Sequence, residues 1–102
     1  MMFRQETVSN TEAVLVIGGP LSGDAVAEFQ RKMDALASSR FLTITLDFSQ
    51  TTTIGSAALG KLLVFRRNLA EQGKTLQIRG CSDGMYKVFQ LIQMDKLISI
   101  TK

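Results

Sequence analysis

Apolar and polar positions along the chain repeat with two different periods, which predicts strands and helices in turn. A continuously apolar segment, residues 13–17, stops at Gly18, Gly19 and Pro20 and predicts a strand buried on both faces. Residues 41–46 and 74–79 alternate between apolar and polar side chains and predict two further strands. Shorter strands are predicted at residues 2–8 and 97–100.

Three other segments have apolar residues at helical spacing, and each predicts an amphipathic helix. They cover residues 22–39, residues 56–72 and a segment that begins at Ser82 and Asp83. Ser22 is predicted to cap the first helix, and Gly73 is predicted to end the second. The predicted apolar stripes are Val26, Phe29, Met33, Leu36 and Ala37, then Leu59, Leu62, Leu63, Leu69 and Ala70, and finally Met85, Val88, Phe89 and Ile92.

The order of these elements, β-β-α-β-α-β-α-β, predicts an α/β fold. Strands that alternate with helices require crossover connections, which favour mainly parallel pairing. We therefore expect one open sheet of about five strands, mixed or mainly parallel, with three main helices whose apolar stripes pack against it. A chain of 102 residues is expected to form a single domain, 1–102.

The composition excludes most catalytic and metal-binding chemistry. The chain contains no histidine and a single cysteine, Cys81, so a histidine-dependent triad, a zinc cluster and an intramolecular disulfide are not expected. It also lacks a glycine-rich phosphate loop and a paired-carboxylate motif. We therefore predict that the protein is not an enzyme and has no cofactor and no metal. Cys81 is expected to be a small packing residue.

Charge and hydropathy limit the classes of partner and the cellular location that we expect for the protein. The formal net charge is +3, and the chain has one tyrosine and no tryptophan, so a nucleic-acid surface with stacking aromatics is not expected. No apolar run approaches the ~20 residues that cross a bilayer. The first residues also lack the apolar core of a signal peptide. These features predict a cytoplasmic protein that does not insert into a membrane.

Residues 46–60 concentrate the candidate chemistry. They are predicted to form the end of a buried strand, a polar turn with Thr51, Thr52 and Thr53, and a serine, Ser56, that opens a helix. The free backbone N–H groups and the helix dipole favour negative charge at this position. Ser56 is therefore either a simple helix cap or a phosphate acceptor, and the two roles are compatible.

Over residues 13–100 the chain resembles the STAS domain of bacterial anti-sigma-factor antagonists. The resemblance is carried by Asp47-Phe48-Ser49, by Gly55-Ser56-Ala57-Ala58-Leu59-Gly60, and by a third helix and closing strand over residues 84–98. In this register Ser56 corresponds to the serine that the family's cognate kinase phosphorylates. Gly55 and Ser22 stand where an aspartate is common in the family, so the site is less acidic.

The resemblance implies a STAS-type sheet and a partner switch. The unmodified protein would bind and sequester a GHKL-type serine kinase or anti-sigma factor. Phosphorylation of Ser56 would release that partner, and a PP2C-type phosphatase would reset the switch. The expected partner-binding residues are Ser22, Gly55, Ala57, Leu59, Gly60 and Lys61.

Two alternatives remain open. The chain could be a non-switching STAS subunit of a larger complex, such as a lipid-transport ABC transporter, with Ser56 only a cap or interface residue. Gly55 could adopt an unusual backbone angle or allow close approach of a partner, or it could be an ordinary turn glycine.

Overall fold

The computed structural model describes residues 2–102, which form seven strands, three α-helices and one 3₁₀ turn. The strands are β1 (Phe3–Thr7), β2 (Glu12–Ile17), β3 (Gly19–Leu21), β4 (Thr43–Asp47), β5 (Thr51–Ile54), β6 (Thr75–Arg79) and β7 (Ser99–Ile100). The helices are α1 (Ala25–Ala37), α2 (Ser56–Glu71) and α3 (Asp83–Leu91), and the 3₁₀ turn is Met94–Lys96.

Five of the strands form one sheet in the order β1-β2-β4-β6-β7. β1 runs antiparallel to β2, and the other neighbours are parallel. Each of the three helices connects two parallel strands of this sheet, as crossover connections require. The predicted α/β fold, with a mixed five-stranded sheet and three helices, is confirmed.

The predicted order of elements lacked two strands, β3 and β5. They pair in parallel as a separate two-stranded sheet, where the sequence predicted a turn and a polar loop. The Thr51 hydroxyl donates to the Ile17 carbonyl (2.6 Å), and the Gly19 N–H donates to the Gln50 carbonyl (2.9 Å). These bonds hold the loop before α2 against the end of β2.

The core lies on one face of the main sheet. Leu15, Leu46 and Ile78 are neighbours across β2, β4 and β6 and belong to the same buried cluster as the inward side chains of all three helices. Val14 and Val16 point to the other face and are also buried, which confirms the prediction for β2.

Fewer residues of the predicted apolar stripes of α2 and α3 are buried than expected. In α2, Leu62 and Leu69 are buried, but Leu63 and Ala70 are exposed. In α3, Met85 and Phe89 are buried, whereas Val88 and Ile92, expected on the same face, are exposed. These two helices therefore carry apolar side chains that the fold does not cover.

The first helix also begins later than predicted. Asp24, not Ser22, occupies the position before its first residue, and the Asp24 side chain makes no capping hydrogen bond. Ser22 contributes through its backbone, because its carbonyl accepts from the Ala25 N–H (3.2 Å). The Ser22 side chain is exposed to solvent beside the start of α2.

Candidate partner-binding site at the start of the second helix

The candidate site is built where β3 and β5 end. The Gly55 N–H donates to the Leu21 carbonyl (3.0 Å), which ties the start of α2 to the end of β3. A Cβ atom placed on Gly55 would lie 3.4 Å from the Ser22 Cβ. The small parallel sheet therefore brings Ser22, Gly55 and Ser56 together from two distant parts of the sequence.

Gly55 has ordinary extended backbone angles, with φ −84° and ψ 163°. The proposal of an unusual backbone angle at this glycine is therefore wrong. The 3.4 Å separation from Ser22 is normal van der Waals contact, so a side chain fits here. Gly55 adds no side chain to the surface next to the exposed Ser22.

Ser56 is the first residue of α2, and Gly55 occupies the capping position before it. The interpretation of Ser56 as the helix cap is therefore wrong by one residue. The Ser56 side chain is exposed, and its hydroxyl makes no hydrogen bond to any residue within 2–102. The hydroxyl is free to react or to contact a partner.

The backbone around Ser56 favours added negative charge. The first N–H of α2 with a helical partner is that of Leu59, which donates to the Gly55 carbonyl (3.1 Å). The preceding N–H groups of an α-helix lack such partners and carry a partial positive charge. A phosphate on Ser56 would therefore be stabilised locally, because it would lie at the positive end of the helix dipole.

The other predicted site residues do not all face the same way. Ala57 and Gly60 are exposed near Ser56, and Leu59 is half-buried against the core. Lys61 is half-buried on a different flank of α2, where it lines a groove with Gln30 and other residues of α1. The structure thus separates Lys61 from the residues around Ser56.

Sequence reasoning did not place α3 beside β5. Thr53 and Ile54 of β5 line one shallow pocket together with Ser82, Gly84 and Val88 of α3. The available signal was the apolar character of Val88, but its helical spacing from Met85 placed it in the predicted core stripe. The start of α3 therefore lies beside β5, the strand that leads into α2.

The partly buried carboxylate of Asp47 holds the loop between β4 and β5. Asp47 accepts from the Ser49 N–H (2.8 Å) and from the Arg79 guanidinium (3.1 Å). Burial alone would raise the pKa of the Asp47 carboxyl, but these hydrogen bonds and the Arg79 charge outweigh it and lower the pKa below 3.8. Asp47 thereby fixes the path of the chain towards Thr51 and the site.

The remaining candidate chemistry is inert. Burial raises the pKa of the Cys81 thiol to about 11, so Cys81 is a packing residue, as predicted. Within residues 2–102, no group of three histidine, cysteine or carboxylate side chains is placed to hold a metal ion. None of the helices in that range has the length and apolar character needed to cross a membrane.

Comparison with known families gives one match that covers most of the chain. The family profile described as "Mlab, STAS domain" matches residues 5–99. No curated protein sequence matches the chain.

Several solved structures are similar to this chain. The anti-sigma factor antagonist SpoIIAA is 26% identical in its unphosphorylated form, with 87% of this chain and 82% of that chain covered and a TM-score of 0.74. Its phosphorylated form, from Bacillus, is 23% identical, with 98% and 91% covered and a TM-score of 0.78.

Two further structures share the fold at lower identity. A candidate anti-sigma factor antagonist from Thermotoga maritima is 19% identical, with 99% of this chain and 86% of that chain covered and a TM-score of 0.89. The STAS domain of a SulP transporter from Vibrio cholerae is 16% identical, with 94% and 77% covered and a TM-score of 0.73.

Proposed function

The chain belongs to the STAS domain family, and on that premise we propose that it is a phosphorylation-controlled regulator of the anti-sigma-factor-antagonist type. The observation that carries the proposal is the exposed, unbonded hydroxyl of Ser56 at the first position of α2. That position accepts a phosphate without loss of any hydrogen bond of the fold. The similarity to the SpoIIAA structures in both phosphorylation states supports this assignment.

In the proposed cycle the unmodified protein binds an anti-sigma factor that is also a GHKL-type serine kinase. The partner contacts the surface around Ser56, formed by Ser22, Gly55, Ala57, Leu59 and Gly60. Phosphorylation adds about −1.5 to −2 charge and a hydrated group to this surface, which weakens docking while the helix dipole keeps the fold stable. A PP2C-type phosphatase restores the binding state.

We propose that the protein acts in the cytoplasm, where it binds its partner and catalyses no reaction itself. The site offers one nucleophilic hydroxyl, and the sequence contains no histidine that could activate it. The phosphoryl group and the catalytic machinery would therefore come from the partner kinase. Lys61, which faces α1, is not part of the proposed contact surface.

Variants at Ser56 test the proposal. Ser56→Ala should keep the partner bound and resist phosphorylation, and Ser56→Asp should fold normally but lose the partner. Binding is measured by affinity purification of each full-length variant from native cells and quantification of the co-purified kinase. Ser9→Asp is a matched control, because Ser9 is an exposed serine in the loop before β2, at the opposite end of the sheet.

Two results would contradict the proposal. One is equal recovery of the kinase with wild-type protein and Ser56→Asp. The other is equal loss of the kinase with Ser56→Asp and Ser9→Asp, which would assign the effect to charge in general.

A second candidate is a non-switching STAS subunit of a lipid-transport ABC transporter. It is favoured by the matching family profile, whose description names Mlab and not an anti-sigma factor antagonist. Gly55 in place of the family's aspartate also fits a site without a phosphorylation network. Co-purification of an ABC ATPase in equal amounts with wild-type protein and Ser56→Asp would support this candidate.

A further inference from the structure

Strand β1 forms one edge of the main sheet and has no neighbouring strand on its outer side within residues 2–102. It pairs with β2 along its whole length, Phe3–Thr7, without a bulge. The strand at the other edge, β7, contains only two residues. β1 is therefore the longer and more regular edge of the sheet. Such an edge presents unpaired N–H and C=O groups with which another strand can pair.

The hydrogen bonds to β2 show which backbone groups of β1 point outward. The Val8 N–H donates to the Glu12 carbonyl (2.9 Å), and the Met2 carbonyl accepts from the Gly18 N–H (2.6 Å). In an antiparallel pair, residues bonded to the neighbouring strand alternate with residues whose N–H and C=O groups point away from it. The even-numbered residues of β1 therefore bond to β2, and the odd-numbered residues present their backbone groups at the edge. These odd-numbered residues are Phe3, Gln5 and Thr7.

The side chains of β1 are divided between the two faces of the sheet. Arg4 and Glu6 point to the face away from the helices, where they form an ion pair (3.4 Å) and are 61% and 48% exposed. On the other face, Gln5 and Thr7 are exposed, so the helices leave the middle and the end of β1 uncovered. The edge is therefore open to a further strand on both faces over these residues.

A second copy of β1 matches this edge in one antiparallel register. The outward backbone groups meet only when odd-numbered residues lie opposite odd-numbered residues. With Gln5 opposite Gln5 of the second copy, Arg4 of each copy lies opposite Glu6 of the other. A shift by two residues in either direction instead places Arg4 opposite Arg4, or Glu6 opposite Glu6. Opposite charges in these positions stabilise a strand pair and like charges destabilise it, so the charges favour the register centred on Gln5.

We propose that two copies of this chain associate through antiparallel pairing of their β1 strands, centred on Gln5, and join their sheets into one continuous sheet. The same residues serve on both sides of the two-fold axis. Arg4 and Glu6 of the other copy occupy a non-hydrogen-bonded pair, in which side chains approach most closely. Because five residues from each copy form a small interface, we expect a weak dimer that dissociates on dilution. The inference is independent of the role proposed for Ser56.

Disulfide trapping of the purified full chain tests the register. In the Gln5→Cys variant the two introduced thiols lie opposite each other, at a Cα separation of about 5.5 Å that a disulfide spans. Thr7→Cys is the matched control, because Thr7 is exposed on the same face but would lie more than ~13 Å from its counterpart. The native Cys81 is buried. We expect Gln5→Cys to form linked dimers at least about tenfold faster than Thr7→Cys under mild oxidation, and equal rates would overturn the inference.

Charge reversal tests the proposed pairing of side chains. Arg4→Glu alone and Glu6→Arg alone each convert both opposite-charge pairs into like-charge pairs, so each should lower the dimer association constant about tenfold. An equimolar mixture of the two variants, and the double variant Arg4→Glu with Glu6→Arg, both restore opposite charges and should recover the wild-type constant. This recovery also shows that the single variants are folded.

Sedimentation equilibrium over a concentration series measures these constants. Single variants that associate as well as wild type, or a mixture that does not recover, would overturn the inference. A wild-type protein that stays monomeric at every concentration would also overturn it. The edge would then be protected by its own charges or be open to a strand of a different protein.

Discussion

Gly80 closes the junction between β6 and the loop that follows β4. Its φ is +75°, and a Cβ placed there would lie 2.8 Å from the Ser49 backbone nitrogen and 2.9 Å from Asp47 Oδ1. Gly73 has a similar φ of +71° but open space around it, with no atom within 4 Å of a built Cβ. Alanine at Gly73 would introduce backbone strain alone, whereas alanine at Gly80 would introduce both strain and steric overlap.

Gly80→Ala should lower the free energy of unfolding by ~2–4 kcal/mol, because strain and overlap act together. Gly73→Ala should cost only ~1 kcal/mol, from strain alone. Urea denaturation of both variants measures the difference. Equal losses in the two variants would show that Asp47 and Ser49 yield easily and do not fix this junction.

The Asp47 carboxyl makes stability depend on pH. Because its folded pKa lies below 3.8, ionised Asp47 stabilises the protein above the unfolded pKa, and this contribution is lost as the pH falls through the folded pKa. Asp47→Asn should therefore be less stable than wild type at neutral pH, and the difference should shrink below pH 3.8. Urea denaturation across a pH series measures it, and a constant difference would contradict the assignment.

At the scale of single residues, the sequence located Ser56 but not its exact role in the helix. A cap and a first helical residue differ by one position, and both Gly55 and Ser56 are acceptable at either one. The hydrogen bond from Gly55 to Leu21, across 34 residues of sequence, decides between them. Local propensity contains no information about that long-range contact.

The first turns of α2 and α3 differ in side-chain capping. Ser82 caps α3, since its side chain accepts from the Met85 N–H (3.2 Å), whereas Ser56 makes no such bond. Ser82→Ala should lower the free energy of unfolding by ~0.5–2 kcal/mol. Ser56→Ala should change it by less than ~0.5 kcal/mol. Thermal unfolding compares them, and a larger loss for Ser56→Ala would restore the cap interpretation.

The end of α1 is held by a lysine from a distant segment. Lys74 Nζ donates to the Ala37 carbonyl (2.9 Å) and the Ser39 carbonyl (2.6 Å). Lys74→Met should lower the free energy of unfolding by ~1–3 kcal/mol, because the charged hydrogen bonds to these carbonyls are lost. Lys32→Met, at an exposed position of α1, is the control, and chemical denaturation that shows equal effects would refute the capping role.

At the scale of elements, the three helices and the five strands of the main sheet were predicted, including the short strands at residues 2–8 and 97–100, but β3 and β5 were not. β3 contains Gly19 and Pro20, both typical of turns, and β5 begins with three threonines that also suit a polar loop. Each of these two strands is stable only when it is paired with the other. The residue pattern within either segment alone therefore cannot predict it. The same limit affected α3, where spacing alone could not separate the buried Phe89 from the exposed Val88.

At the scale of the whole molecule, the alternation of strands and helices was enough to predict the fold. Parallel crossovers on one face leave the helices in sheet order and place all three helix starts at the same edge. This edge holds Ser22, Gly55 and Ser56, and the outer faces of α2 and α3 extend from it. The concentration of the candidate site residues at this edge is a consequence of topology that composition and net charge could not predict.

We propose that Ser56 carries a reversible phosphate that controls docking. The most direct measurement is peptide-resolved mass spectrometry of the protein isolated from its native cells with phosphatases inhibited, in free and partner-bound pools. We predict a phosphate on Ser56 in the free pool, in a fraction that changes with growth conditions, and unmodified Ser56 in the bound pool. Ser56 that stays unmodified in both pools under all growth conditions would contradict this role of Ser56.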